Sequence, residues 1–149
     1  MNKLHRVVVA VKDLDEAAGR YERIFAVPFV RTGPYVASMG VKVAGAWGLG
    51  VELIQPMPGS DSQFAQDIQR HLNERGEGLY GVVFQTRTMK SDIEHLEKNA
   101  FVAYGPTFSF SSSVLETEFG GAFSRFEETV FTPERLGYLV AAMDASPTR

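Results

Sequence analysis

The chain has no cysteine. That excludes a disulfide framework, a thiolate nucleophile and a cysteine-bound zinc site, and it suits a reducing compartment such as the cytoplasm. It has no long hydrophobic run near its start, where Val7–Val11 is flanked by Arg6 and Lys12; such a stretch is too short and too charged for a signal peptide or a membrane span. It has no excess of basic charge, with 15 Lys and Arg against 18 Asp and Glu and a formal net charge of −3. Nucleic acid, whose phosphates are neutralised by clustered Lys and Arg, is therefore not an expected partner. There is no P-loop and no His-Glu-x-x-His helix, and Gly45, Gly48 and Gly50 lie between strands rather than opening a helix. No cofactor signature is present.

What remains is ordinary globular material: 149 residues, 44% apolar and 22% charged. One domain over 1–149 is expected, large enough to bury a core without staples. Within it the stretch LHRVVVAVKDLDEA from Leu4 returns in altered form at Leu79 as LYGVVFQTRTMKSDIEHL. In the first copy the β-branched run Val7–Val11 predicts a strand covered on both faces. Asp13 is a good N-cap, and Leu14, Ala17, Ala18, Tyr21, Ile24 and Phe25 follow at helical spacing. After Pro28 and the Gly33-Pro34 turn, VASMGVKVAGAWGLGVELIQP predicts two strands broken around glycines.

Between Met57 and Gly76 a helical linker is expected, capped by Ser60 or Asp61 and burying Phe64, Ile68 and Leu72. The second copy pairs Val7 with Val82 and Val8 with Val83. Its helix places Ile93 and Leu96 inward, FVAYGPTFSF returns to strand, and GAFSRFEETVF and LGYLVAAM predict two more strands. SFSSSVLE reads as a polar strand or loop. The fold class is thus α+β, with two βαβββ modules (about 1–56 and about 77–149) joined by a linker (about 57–76). A half of about 70 residues cannot close its sheet against water alone, so the two halves are expected to pair around a cleft.

The strand ending in VKDLDEA, then VELIQP, GSDSQFAQDIQRHL and RGEGLYGVVF in that order, resembles the vicinal oxygen chelate superfamily of glyoxalases, bleomycin-resistance proteins and extradiol dioxygenases. Within it the pattern is most similar to methylmalonyl-CoA epimerase, over residues 3 to about 105. The resemblance implies paired βαβββ modules around a cleft, a homodimer, and one divalent metal held by four side chains. Carried over position by position, the first ligand position holds Arg6 rather than His. The second, in the VEL strand, holds Glu52. The third, before the second apolar run, holds Gly81, and the fourth, in GYLVA, holds Ala141. His5 precedes Arg6 and, by strand alternation, should face the other way.

With three of four ligands replaced, no metal is expected. Two readings of Arg6 stand side by side. Its guanidinium could take the former metal position, pair with Glu52 and offer a fixed positive group to a carboxylate, enolate or carbonyl oxygen; or the pair could be only a salt bridge at the barrel mouth. The expected small-molecule site therefore comprises Arg6 and Glu52 as catalytic candidates, with Trp47, Gly81 and Ala141 beside Arg6 as substrate-binding candidates.

Other chemistry-bearing residues have plainer readings. His71 and His95 sit in charged helical stretches and are expected at the surface. Tyr80 should point away from the cleft into a core or interface. Glu127 and Glu128 are adjacent, so one faces each side of a strand; one of them could enter the cleft and act as an acid or base, while the favoured expectation puts both at the outer surface or paired with Arg125. Phe108, Phe110, Phe119, Phe123, Phe126 and Phe131 line a pocket or build sheet core. Two functions remain open: a metal-independent lyase or isomerase acting on a small carbonyl, carboxylate or acyl compound, and a non-catalytic module that sequesters a ligand as bleomycin-resistance proteins do. A second acid or base within reach of Glu52 favours the first, and an aromatic pocket without a titrating side chain the second.

Overall fold

The computed structural model describes all residues, 1–149. The first module runs β1 (Lys3–Ala10), α1 (Leu14–Phe25), β2 (Val30–Arg31), α2 (Pro34–Ala37), β3 (Val41–Ala46) and β4 (Val51–Pro56). After α3 (Gln63–Arg75) the second runs β5 (Gly78–Gln85), α4 (Met89–Lys98), β6 (Phe108–Ser109), α5 (Ser112–Glu118), β7 (Phe123–Phe131) and β8 (Leu139–Pro147). All eight strands form one mixed, curled sheet in the order β2-β3-β4-β1-β5-β8-β7-β6. Each module has its first strand parallel to its last, β1 to β4 and β5 to β8, and the modules join where β1 pairs antiparallel with β5. The α+β class and the βαβββ repeat are as expected.

Strand alternation separates two faces. On the outer face, Val9, Val11, Ala44 and Leu53 pack under Leu14, Ala17 and Ala18 of α1, while Phe131 and Ala142 pack under Leu96 of α4. On the inner face Val8, Ala10, Val43, Ile54, Val83, Ala141 and Met143 form the larger core with α3, α5 and the second-module aromatics. Helix α1 starts at Asp13 as predicted, its side chain accepting from Glu16 N at 2.9 Å.

Three local expectations change. The cap of α3 is Ser62, not Ser60 or Asp61; Ser60 instead accepts from Ser62 N, tying the turn just before the helix. Gly33-Pro34 opens the short helix α2, with Pro at its N-terminus, where a missing N–H costs nothing. SFSSSVLE holds the N-cap and the first turn of helix α5; Ser111 accepts from Val114 N and the helix buries Leu115. The serine there is a cap, not part of a polar strand.

Candidate functional site

The inner face carries a cavity of about 240 Å³ whose floor is three charged side chains from three strands, Arg6, Glu52 and Glu128. Its walls are apolar: Val41 and Val43 of β3, Ile54 of β4, Phe126 of β7, and Phe108 and Phe110 at the β6 edge. All three floor residues are buried. Arg6 Nε donates to Glu52 Oε2 at 2.5 Å, Nη2 donates to Glu128 Oε2 at 2.8 Å, and Nη1 lies 2.8 Å from the Met143 sulfur. Registry explains the convergence. Glu52 lies beside Val8 of β1, two residues along from Arg6 on the same face, and Glu128 is paired directly with Met143 across β7 and β8.

Charge at this floor is unbalanced in composition, with one guanidinium and two carboxyl groups. Burial works against the Arg6 charge, but Glu128 and then Glu52 outweigh it and hold the guanidinium above its ordinary pKa. Burial likewise pushes the Glu128 carboxyl above the usual carboxylate range, opposed by Arg6 and assisted by Glu52. Each glutamate spends only Oε2 on Arg6; Oε1 of each accepts no hydrogen bond from the protein. Of the five guanidinium N–H groups, one on Nη2 has no protein acceptor.

Of the residues expected here, Arg6 and Glu52 are in contact and line the cavity. Trp47 does not line it. Its ring lies behind Arg6, 5.8 Å from the guanidinium carbon, wedged between Phe119 and Phe123 and facing a separate groove at the other end of the sheet. Gly81 and Ala141, expected to line the cleft, are packed into the sheet instead. A Cβ on Gly81 would stand 2.6 Å from the Leu139 carbonyl oxygen, and Ala141 is fully buried in the inner core without reaching the cavity.

His5 is a further correction. A register shift between Leu4 and Arg6 makes it part of a bulge, so alternation fails there and its Nδ1 lies 3.4 Å from Arg6 Nη1. Burial, then Arg6 and Lys3, pushes its pKa down to about 4. A second irregularity, between Val8 and Val9, falls opposite Tyr80. Tyr80 is buried in the inner core, as a core residue, but turned inward toward α3: it packs edge-on to His71, its hydroxyl has no hydrogen-bond partner, and burial pushes its pKa up to about 12. His71 is half-buried by that contact, whereas His95 is exposed.

Glu128 enters the cavity, the less favoured of the two readings of the Glu127-Glu128 pair. Repeat logic sought the second module's carboxylate on the closing strand and found Ala141, but it comes from the neighbouring strand β7. Alternation in Glu127-Glu128 was the available signal; it shows that one of the two faces inward, not which. Arg125, the partner expected for these glutamates, pairs with Asp144.

The donor set does not suit a divalent cation. A guanidinium already bonds both floor carboxylates, and no group of three or more His, Cys, Asp or Glu side chains could hold a metal together.

No family model matches the sequence, and no curated protein matches it at a significant level. Solved structures match over nearly the whole chain. The methylmalonyl-CoA epimerase of Mycobacterium tuberculosis aligns with 97% of this chain and 88% of its own at 18% identity and a TM-score of 0.66. A variant of the Streptomyces coelicolor methylmalonyl-CoA epimerase, in complex with 2-nitronate-propionyl-CoA, aligns with 98% of this chain and 99% of its own at 16% identity and 0.67. A hypothetical protein from Bacillus halodurans C-125 aligns with 99% and 97% at 15% identity and 0.66. The chain therefore has the paired-module fold of these epimerases, which belong to the vicinal oxygen chelate superfamily.

Proposed function

We propose that the cavity is a metal-independent site in which the protein acts as an isomerase or lyase on a small carbonyl or acyl compound. The observation that carries this reading is the second carboxyl group, Glu128, on the same guanidinium as Glu52 and inside an apolar cavity. Proton transfer needs a group poised between its two states, and burial moves Glu128 in that direction. Glu128 thus replaces Glu52 as the favoured acid and base, while Glu52 anchors Arg6.

In the proposed step the substrate's α C–H bond breaks, its proton passes to Glu128 Oε1, and the electron pair moves onto the carbonyl oxygen. The enolate oxygen faces the remaining Arg6 Nη2 N–H, a preoriented donor in a low-dielectric site. Return of the proton by Glu128 to another carbon of a conjugated enolate, on the same face, gives an isomer; expulsion of a β-substituent with its bonding electron pair gives elimination. The similar fold bound to 2-nitronate-propionyl-CoA supports an acyl or carbonyl substrate. A homodimer working in the cytoplasm belongs to the same reading; the lack of cysteine supports the compartment.

The test is proton exchange in D2O. Aryl-alkyl ketones and short branched acyl thioesters are incubated with the protein, and loss of the α-proton signal is followed by NMR. Exchange that disappears in Glu128→Gln supports the reading. Saturable binding without exchange favours sequestration, for which the phenylalanine-rich walls are the specific support.

A further inference from the structure

We infer that the cavity selects organic cations, taking a compound with a protonated amine or quaternary ammonium group seated at Glu52 Oε1 against the phenylalanine walls, within the field of Glu128 but leaving Glu128 Oε1 free, and rejecting carboxylates. The inference deepens the proposed function by naming the substrate class, and it rests on that reading for the identity of the site.

Three observations carry it. First, the floor holds two carboxyl groups and one cation, and no lysine or histidine lines the cavity to redress the balance. Second, both glutamates are buried, at 7% and 5% exposure, yet each keeps an Oε1 that no protein donor reaches. These oxygens are open to the cavity rather than sealed in the core, so a donor from a ligand can take the place of water at Glu52 Oε1. An ammonium group supplies both the donor and the balancing charge. Third, the wall beside these oxygens is aromatic. Phe126 already presents its ring to a cation, with the Arg6 guanidinium carbon 5.9 Å from its centroid, and Phe110 packs against Phe126 at 5.1 Å. Ring faces beside carboxylates form the environment that recognises alkylammonium groups.

An anionic ligand meets the opposite situation. Arg6 has spent its N–H groups on Glu52, Glu128, Met143 and His5, with one left on Nη2. One N–H suffices for a carbonyl oxygen but not for a bidentate carboxylate, and a third acid group in this low-dielectric floor would repel both glutamates. An amino-bearing carbonyl compound satisfies both halves of the site.

The experiment uses three probes of one shape, 2-phenylethylammonium, 2-phenylethanol and phenylacetate, titrated calorimetrically into the full chain. The ammonium is expected to bind at least about tenfold more tightly than the alcohol, with phenylacetate weakest. Glu128→Gln and, separately, Glu52→Gln should each cut the ammonium preference by about tenfold while leaving the alcohol nearly unchanged. Either variant alone suffices if the other fails to fold. Phenylacetate binding as tightly as the ammonium, an ammonium preference unchanged in a folded variant, or no saturable ammonium binding at millimolar concentration overturns the inference. Failure here with α-proton exchange intact removes only the cation selectivity. Ammonium selectivity without exchange removes only the enzymatic reading.

Discussion

Arg6 Nη2 lies 2.8 Å from Glu128 Oε2, joining the first strand of one module to the third of the other across 122 residues of sequence. Through Nε the same guanidinium holds Glu52 of β4. One buried side chain thus clamps both halves of the sheet and forms the floor of the cavity. Its two carboxyl partners also make it indispensable in a way that an apolar residue would not be, because removing the cation leaves two acids buried together.

Replacing Arg6 should therefore destabilise the protein strongly, by about 3–5 kcal/mol for Arg6→Met, because the glutamates lose their counter-charge. The triple variant Arg6→Met, Glu52→Gln, Glu128→Gln should recover much of that loss. Urea unfolding midpoints for the two variants decide the matter. A single variant as stable as the parent would mean that the cluster is not energetically coupled.

Stability should vary with pH in two opposed ways. His5 stays neutral in the native state down to about 4, whereas in the unfolded chain it takes a proton near 6.5. The unfolded state then binds more protons between these values, and stability falls as pH drops through that window. Glu128 is raised, so the native state keeps a proton that the unfolded chain has released. Stability contributed by that proton is lost as pH climbs from the ordinary carboxylate value through the raised native one. Unfolding midpoints across this range should lose their acid-side fall in His5→Gln and their alkaline-side fall in Glu128→Gln. Profiles that coincide with the parent's would contradict the burial argument for either group.

Gly45 has a steric reason to be glycine. A Cβ there would collide with the Trp47 ring, which is itself held between Phe119 and Phe123. Gly45→Ala should cost about 1–3 kcal/mol by overpacking. It should also shift the emission of the only tryptophan in the chain, since the ring must leave its place behind Arg6. Unchanged emission with unchanged stability would show that the ring has room to yield.

The features legible in advance were local ones. Val7–Val11, the Asp13 cap and the apolar spacing from Leu14 to Phe25 specify strand, cap and helix within about twenty residues, and their return at Leu79 specifies the repeat. Arg6 and Glu52 were legible as a pair only through the family resemblance, which places both at former metal-ligand positions. Helix α5 was hidden by serines that look alike as loop residues and as caps; only the burial of Leu115 and Phe119 separates the two.

Alternation along single strands is a weaker guide to the rest. It predicts the side of a residue only while the ladder is regular, and the shifts beside His5 and Tyr80 break it at those positions. It is equally silent about which strand supplies the second carboxylate, since Glu128 and Ala141 both face inward on adjacent strands. By itself the sequence determined the two βαβββ units, their longer helices α1 and α4, and the apolar faces that oblige them to pair, because those follow from contacts between near neighbours in the chain. Only the tertiary structure decided that Glu128 rather than Ala141 completes the floor with Arg6 and Glu52, because the meeting of three buried charges depends on the register and curl of strands far apart in sequence.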